Sequence, residues 1–140
     1  MAVKSDLLTV STKGHSDVVD ITQQVQHAVT QSGLRNGVIT VFVAGSTAGV
    51  TTIEYEPGLV KDIKKTLEKI APAGQPYHHH DTWGDDNGHS HVRASLLGPS
   101  LSLPFCDGKL MLGTWQQVVV IDCDTRPRER HLHLQAIGES

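Results

Sequence analysis

The run Val38-Ile39-Thr40-Val41-Phe42-Val43 constrains this chain more than any other stretch. Five of its six residues are β-branched and the sixth is aromatic, side chains that pack well on a pleated surface and lose freedom in a helix. It reads as a buried strand, and a buried strand needs partners on both edges and cover on both faces. The rest of the chain supplies candidates. Val3 to Thr12 alternates loosely and reads as a first strand ending at Lys13-Gly14. Val50 to Tyr55, Leu110 to Asp124 and Glu129 to Gly138 read as further strands, with Asp107-Gly108 marking a hairpin. In the last strand Leu132 and Leu134 alternate with His131 and His133, which places those two histidines on the solvent side.

Two segments carry the helical period instead. Ile21, Val25 and Ala28 form one stripe over about 21–32, with Asp20 or Thr22 to cap the start and Gly33 to end it. Pro57 at a first helical position opens a second helix over about 57–70. Its Leu59, Ile63, Leu67 and Ile70 face inward, and Lys61, Lys64, Lys65 and Lys69 face water. With 140 residues, no repeat and no linker, the expectation is one domain spanning 1–140. Its class is α+β, mostly antiparallel sheets in a sandwich-like arrangement with two main helices.

Charge and cysteine usage narrow the partners. A net charge of −3 argues against a general binder of nucleic acid or membrane surfaces. No run approaches a membrane span, and no signal peptide is read. Cys106 and Cys123 form neither a disulfide framework nor a zinc knuckle, which suits a reducing cytoplasm.

The chemistry concentrates in residues 77–98. Five of the nine histidines lie there, His78, His79, His80, His89 and His91, interleaved with Asp81, Asp85 and Asp86. Neutral imidazole and carboxylate are the usual ligands of zinc and similar ions. After this loop, His91, Arg93 and Ser95 alternate with Val92, Ala94 and Leu96, the pattern of a strand flooring a polar site. Trp115 reads as filling the core or a subunit interface.

The complete set of motifs resembles the YjbQ family, described as secondary thiamine-phosphate synthase. The resemblance rests on Gly45-Ser-Thr-Ala-Gly-Val-Thr-Thr-Ile-Glu-Tyr-Glu-Pro-Gly-Leu59, Tyr77 with His80, Asp86-Asn87 with His91, and Leu96-Leu-Gly-Pro-Ser100. It continues through Asp107-Gly-Lys-Leu110, Gly113-Thr-Trp-Gln-Gln117 and the arginines Arg126, Arg128 and Arg130. It implies a compact homotrimer with sites near subunit boundaries. It also implies Glu54, Asp86 and Asn87 as catalytic positions and His80 with His91 as metal ligands. Many members carry a histidine where this chain has Gly45, so no role of that histidine transfers. His78, His79 and His89 match no fixed family position.

The family description implies a transferase joining a hydroxymethylpyrimidine diphosphate to a thiazole phosphate with loss of pyrophosphate. Such chemistry calls for guanidinium forks, backbone N–H groups and a divalent ion, zinc or, for the pyrophosphate step, magnesium. Arg93, Arg126, Arg128, Arg130 and Thr47 in the small-residue link 45–49 are the candidate phosphate contacts. Two alternatives stay open from the residues alone: a metal-dependent hydrolase, and a non-catalytic trimeric binder of a small anionic metabolite.

Overall fold

The computed structural model describes residues 1–140 and folds them into twelve elements. In chain order these are β1 (Ala2–Thr12), β2 (Asp17–Asp20), α1 (Thr22–Ser32), β3 (Asn36–Val43), β4 (Ala48–Ile53) and α2 (Pro57–Ile70). There follow α3 (His78–Trp83), α4 (Gly88–Leu97), β5 (Ser100–Cys106), β6 (Lys109–Leu110), β7 (Gln117–Asp122) and β8 (Arg128–Glu139). The α+β class and the antiparallel sheets agree with the expectation. The helices number four rather than two, because α3 and α4 occupy the histidine segment that was read as loop and strand.

The strands form two antiparallel sheets. One is five-stranded in the order β1-β8-β3-β5-β6, the other three-stranded in the order β2-β7-β4. The buried run at 38–43 lies in β3, held between β8 and β5, with Val41 opposite Leu134 on one side and Leu101 on the other. Ile39, Val41 and Val43 point inward. They meet Leu132, Leu134 and Ala136 of β8, Val118 and Val120 of β7, and Val25 and Val29 of α1 in one core. The other face of β7 sends Val119 and Ile121 into a second, smaller core with Val18, Leu67 of α2 and Cys123. A strand buried on both faces has no reason to alternate, and its Val-Val-Val-Ile sequence does not.

Local chemistry sets the element ends. Asp20 Oδ1 accepts from the Thr22 backbone N–H at 2.9 Å and from its hydroxyl at 2.6 Å, opening α1. Gly33 closes that helix in the left-handed region at φ 72°. Glu56 caps α2 by accepting from the Gly58 and Leu59 amides, with Pro57 in the first turn. Asp107 and Gly108, both at positive φ, turn β5 into β6. Two sequence expectations change in detail, the inward row of α2 and a core place for Trp115. Ile70 is exposed, and within α2 only Leu67 is fully buried. Trp115 lies in the segment between β6 and β7, 73% exposed, and fills no part of this chain's core. No helix is long and apolar enough to cross a membrane.

Candidate functional site

The largest correction concerns residues 91–96. The alternation there is not that of a strand: α4 runs from Gly88 to Leu97. In a helix, residues 91 and 93 stand about 200° apart, so His91 and Arg93 cannot share a face. The buried side of α4 is Gly88, His89, Ser90, Arg93 and Ala94, the i, i+1, i+4, i+5 set of a helix pressed against its neighbours. Arg93 is 5% exposed and turned into the protein. Its Nε donates to the Ala71 carbonyl at 2.9 Å, Nη1 to the Ser16 hydroxyl at 3.1 Å, and Nη2 to Glu68 at 2.5 Å. Those contacts tie α4 to the end of α2 and to the turn before β2. His89 sits in the same seam, 6.3 Å from the Tyr77 ring centroid, and burial followed by the Arg93 charge pushes its pKa down. The Ser90 hydroxyl is fully buried and has no protein partner.

His91 lies on the other side of α4, half-buried, and lines a cleft of about 390 Å³. The remaining walls are Gly45, Ser46 and Ala48 from the β3–β4 connection, Ala94 and Ser95 of α4, and Pro99. The imidazole against His91 belongs to His79, with ring centroids 4.3 Å apart and planes inclined at 49°. His80 projects from α3 in another direction, exposed, with Nδ1 accepting from the Asp86 amide at 3.1 Å. Thus the structure pairs His79 with His91 and gives His80 a local role at the turn between α3 and α4. Asp85 Oδ1 lies 3.4 Å from His79 Nε2. With its amide nitrogen turned toward this pair, Asn87 donates to the Asp85 oxygens at 3.0 and 3.2 Å and stands 3.2 Å from His79 Nε2. The opposite orientation would set the amide oxygen against the same acceptors. Burial, and next the His79 charge, push the His91 pKa below its ordinary value, against the attraction of Asp124 and Asp85.

Behind the cleft lies a buried ionic network. Arg130 Nε and Nη2 grip Asp122 at 2.7 and 2.8 Å, and Nη2 also donates to the Thr47 hydroxyl at 2.6 Å. Thr47 donates onward to Asp124 at 3.1 Å, and Arg128 Nη1 reaches the same carboxylate at 2.5 Å. Thr12 donates to Asp122 at 2.5 Å, and the Asp124 amide donates to it at 3.0 Å. Burial raises the pKa of both carboxylates, yet these donors and charges outweigh it and hold each below the usual range. Arg130 is shifted up, chiefly by its hydrogen bonds to Asp122. Two expected phosphate ligands, Arg128 and Arg130, are therefore already engaged with aspartates, and Thr47 is 5% exposed. Arg126 is exposed in the turn before β8.

Glu54 does not join this group. It follows β4 at the end remote from Ala48, and six residue steps of about 3.3 Å set it roughly 20 Å away along the chain. Asp86 is exposed at positive φ (55°) and contributes its backbone amide to His80. No three His, Cys, Asp or Glu side chains converge closely enough to hold a metal ion. Sequence reasoning ranked His79 below His80 and His91 and gave Asp85 no separate role, yet His79 stands against His91 with Asp85 beside it. The signal available was helical: His79 alone of the His78–His80 run can face α4 when that run coils.

This architecture has close counterparts. The profile of the family described as UPF0047 protein YjbQ-like matches residues 6–139, and the chain belongs to that family. A UPF0047 protein of Methanothermobacter thermautotrophicus is 35% identical over 139 residues, covering 99% of this chain and 95% of the relative. One from Archaeoglobus fulgidus is 36% identical over 130 residues, covering 93% and 98%. A crystal structure of a YbjQ-like protein of unknown function from Sulfolobus solfataricus superposes with a TM-score of 0.93 at 37% identity, covering 99% of each chain. The family resemblance is thus established, and the thiamin-phosphate synthase activity attached to it is not. The matching family and relatives carry no assigned reaction, and the similar structure is of unknown function, so the transferase expectation is withdrawn.

Proposed function

We propose that this protein binds a small metabolite bearing an oxyanion, such as a phosphorylated one, in the cleft between the β3–β4 connection and α4. The observation that carries the reading is the His79–His91 pair at the rim of a cleft otherwise lined by small residues. Two imidazoles 4.3 Å apart, with Asp85 beside one of them, make a rim of ring nitrogens that can hydrogen-bond a ligand oxygen. Gly45, Ser46, Ala48, Ala94 and Ser95 leave room for ligand atoms and add hydroxyl groups. A divalent cation, zinc or magnesium, enters this site only together with the ligand. The protein offers two imidazoles and one carboxylate without convergence, and phosphate oxygens would complete the shell.

Self-association belongs to the same proposal. The outer face of the five-stranded sheet carries Val3, Ile137, Val38 and Pro104 in one cross-strand row and Leu7, His133, Phe42 and Ser100 in another. Charged side chains on this face stand only at its margins, Glu129 and Glu139 at the ends of β8 and Lys109 of β6 beside Cys106. An exposed sheet face depleted of charge fits a subunit contact, and the homotrimer is the arrangement we assign to it. Two free cysteines, one buried and one exposed, suit a reducing compartment such as the cytoplasm.

Binding is tested by titrating inorganic phosphate and pyrophosphate, each with and without Mg²⁺ or Zn²⁺, while following the imidazole and amide NMR signals. Saturable shifts at His79, His91 and Ser46, lost in His91→Ala, are expected. Shifts confined to the exposed Arg126 or to the α2 lysines would reject the cleft as the site.

A further inference from the structure

The Arg130 guanidinium is bound on two of its three nitrogens. Nε and Nη2 are taken by Asp122 and Thr47, while Nη1 has no protein partner. The whole side chain is 3% exposed, yet Nη1 is not sealed as the Ser90 hydroxyl is, so what remains accessible includes this one nitrogen. Its neighbour is Gly45, a wall of the cleft. A Cβ built on Gly45 would lie 2.8 Å from Nη1. Gly45 also has φ 131°, where side chains are rarely found. The guanidinium cannot swing aside, because Asp122 holds it through two hydrogen bonds inside the protein. The absent side chain at position 45 is therefore what leaves Nη1 open toward the cleft.

We infer that Arg130 Nη1, reached over Gly45, anchors one oxygen of the ligand. This rests on the proposed binding function and narrows its ligand class. Arg128 and Arg130 are balanced by Asp122 and Asp124, so the four charges sum to zero. An anchor in a neutral cluster selects by direction rather than by net charge, and it cannot hold a polyanion by attraction alone. His91, the one titratable wall of the cleft, is biased toward its neutral form by burial. The chemistry recognised is thus a single compact oxyanion, a carboxylate or a phosphate monoester, on an otherwise small body. A pyrophosphate group, with charge spread over two phosphoryl units, is the poorer fit.

The test uses the full chain at pH 7.5 with acetate, inorganic phosphate and pyrophosphate as separate probes. Two signals are followed: the Arg130 guanidinium N–H resonances in the wild type, slowed by burial, and the His91 ring. A saturable Arg130 shift with acetate or phosphate, at least as strong as that with pyrophosphate, is expected. Whichever of the two gives the lower Kd identifies the oxyanion. In Gly45→Ala the affinity should fall by at least tenfold, while Gly113→Ala, outside the cleft lining and with nothing closer than 3.6 Å to the added Cβ, changes it less than threefold. Saturable shifts at His91 with a silent Arg130, or an unchanged Kd in folded Gly45→Ala, would overturn the anchor and leave the cleft standing. No saturable shift at His91 with any probe would overturn the cleft itself. The wild-type guanidinium measurement decides the matter even if Gly45→Ala fails to fold.

Discussion

Removing the Asp122 carboxylate is the sharpest test of what holds this site in shape. Asp122 is fully buried and Arg130 nearly so, with side-chain exposures of 0% and 3%. The carboxylate receives two hydrogen bonds from Arg130, one from Thr12 and one from the Asp124 amide. In Asp122→Ala the guanidinium keeps its charge, and Asp124, 3.9 Å away, is its one remaining carboxylate neighbour. Breaking a buried pair on one side costs about 3–5 kcal/mol, since the survivor is left desolvated and uncompensated. Unfolding entropy of roughly 2.1 cal/mol/K per residue gives about 0.3 kcal/mol/K over 140 residues. The expected fall in Tm is then about 10–17 °C at fixed protein concentration. Arg130→Met should cost a similar amount for the mirror reason. The double variant should cost only about 1–3 kcal/mol, the lost Thr12, Asp124 amide and Thr47 contacts, because no unpaired charge remains. Urea unfolding of all four proteins measures the cycle. A single-site loss below about 1 kcal/mol, or strict additivity in the double variant, would show that the network is not the support described here.

The two remaining predictions use titration and mass. The His91 pKa is depressed and the unfolded ring titrates near 6.5, so its contribution to stability is complete above about pH 6.5 and declines as pH falls through the folded value. Asp122 and Asp124 contribute likewise above about pH 3.9 and lose their contribution below it. A ring-proton NMR titration that places His91 at or above free histidine would refute the first part, and an unfolding free energy flat from pH 7 to 3 would refute both. For assembly, light scattering should return three times the chain mass of 15.2 kDa, about 46 kDa, falling to the monomer in Phe42→Glu; an unaltered trimer in that variant would move the interface elsewhere.

Most of the fold was legible because its elements follow the rules of local pattern. The β-branched run at 38–43, the Asp107-Gly108 turn, the Pro57 start and the Gly33 stop appear where sequence places them. His131 and His133 are exposed on the outer face of β8, as its alternation requires. The sheet pairing was not legible. That β8 lies between β1 and β3, and that β7 is buried on both faces, depends on contacts between residues far apart in the chain, such as Val3 with Ile137 and Val43 with Leu132. β7 is also shorter than its apolar context suggests, because Met111 to Gln116 form a loop instead of continuing the strand.

The site was misread for a single physical reason: its buried residues are polar. Sequence pattern finds a helix by its apolar stripe, and on the inner face of α4 two stripe positions are His89 and Arg93. Hidden in that way, the helix presents a six-residue alternation that fits a strand equally well. Arg130 was misleading in the converse sense. It stands two residues from Arg128, and the two were expected to contact phosphate, yet Arg130 is buried and Arg128 turns to Asp124. In both cases the charge is compensated by an acidic residue of another element: Glu68 of α2 for Arg93, and Asp122 of β7 for Arg130. Burial of paired guanidinium groups fixes the geometry of α4 and of the 45–48 connection from behind. The cleft is bounded by those two segments, so its shape depends on charges it scarcely exposes. Substitutions inside the network should therefore disturb ligand binding and stability together.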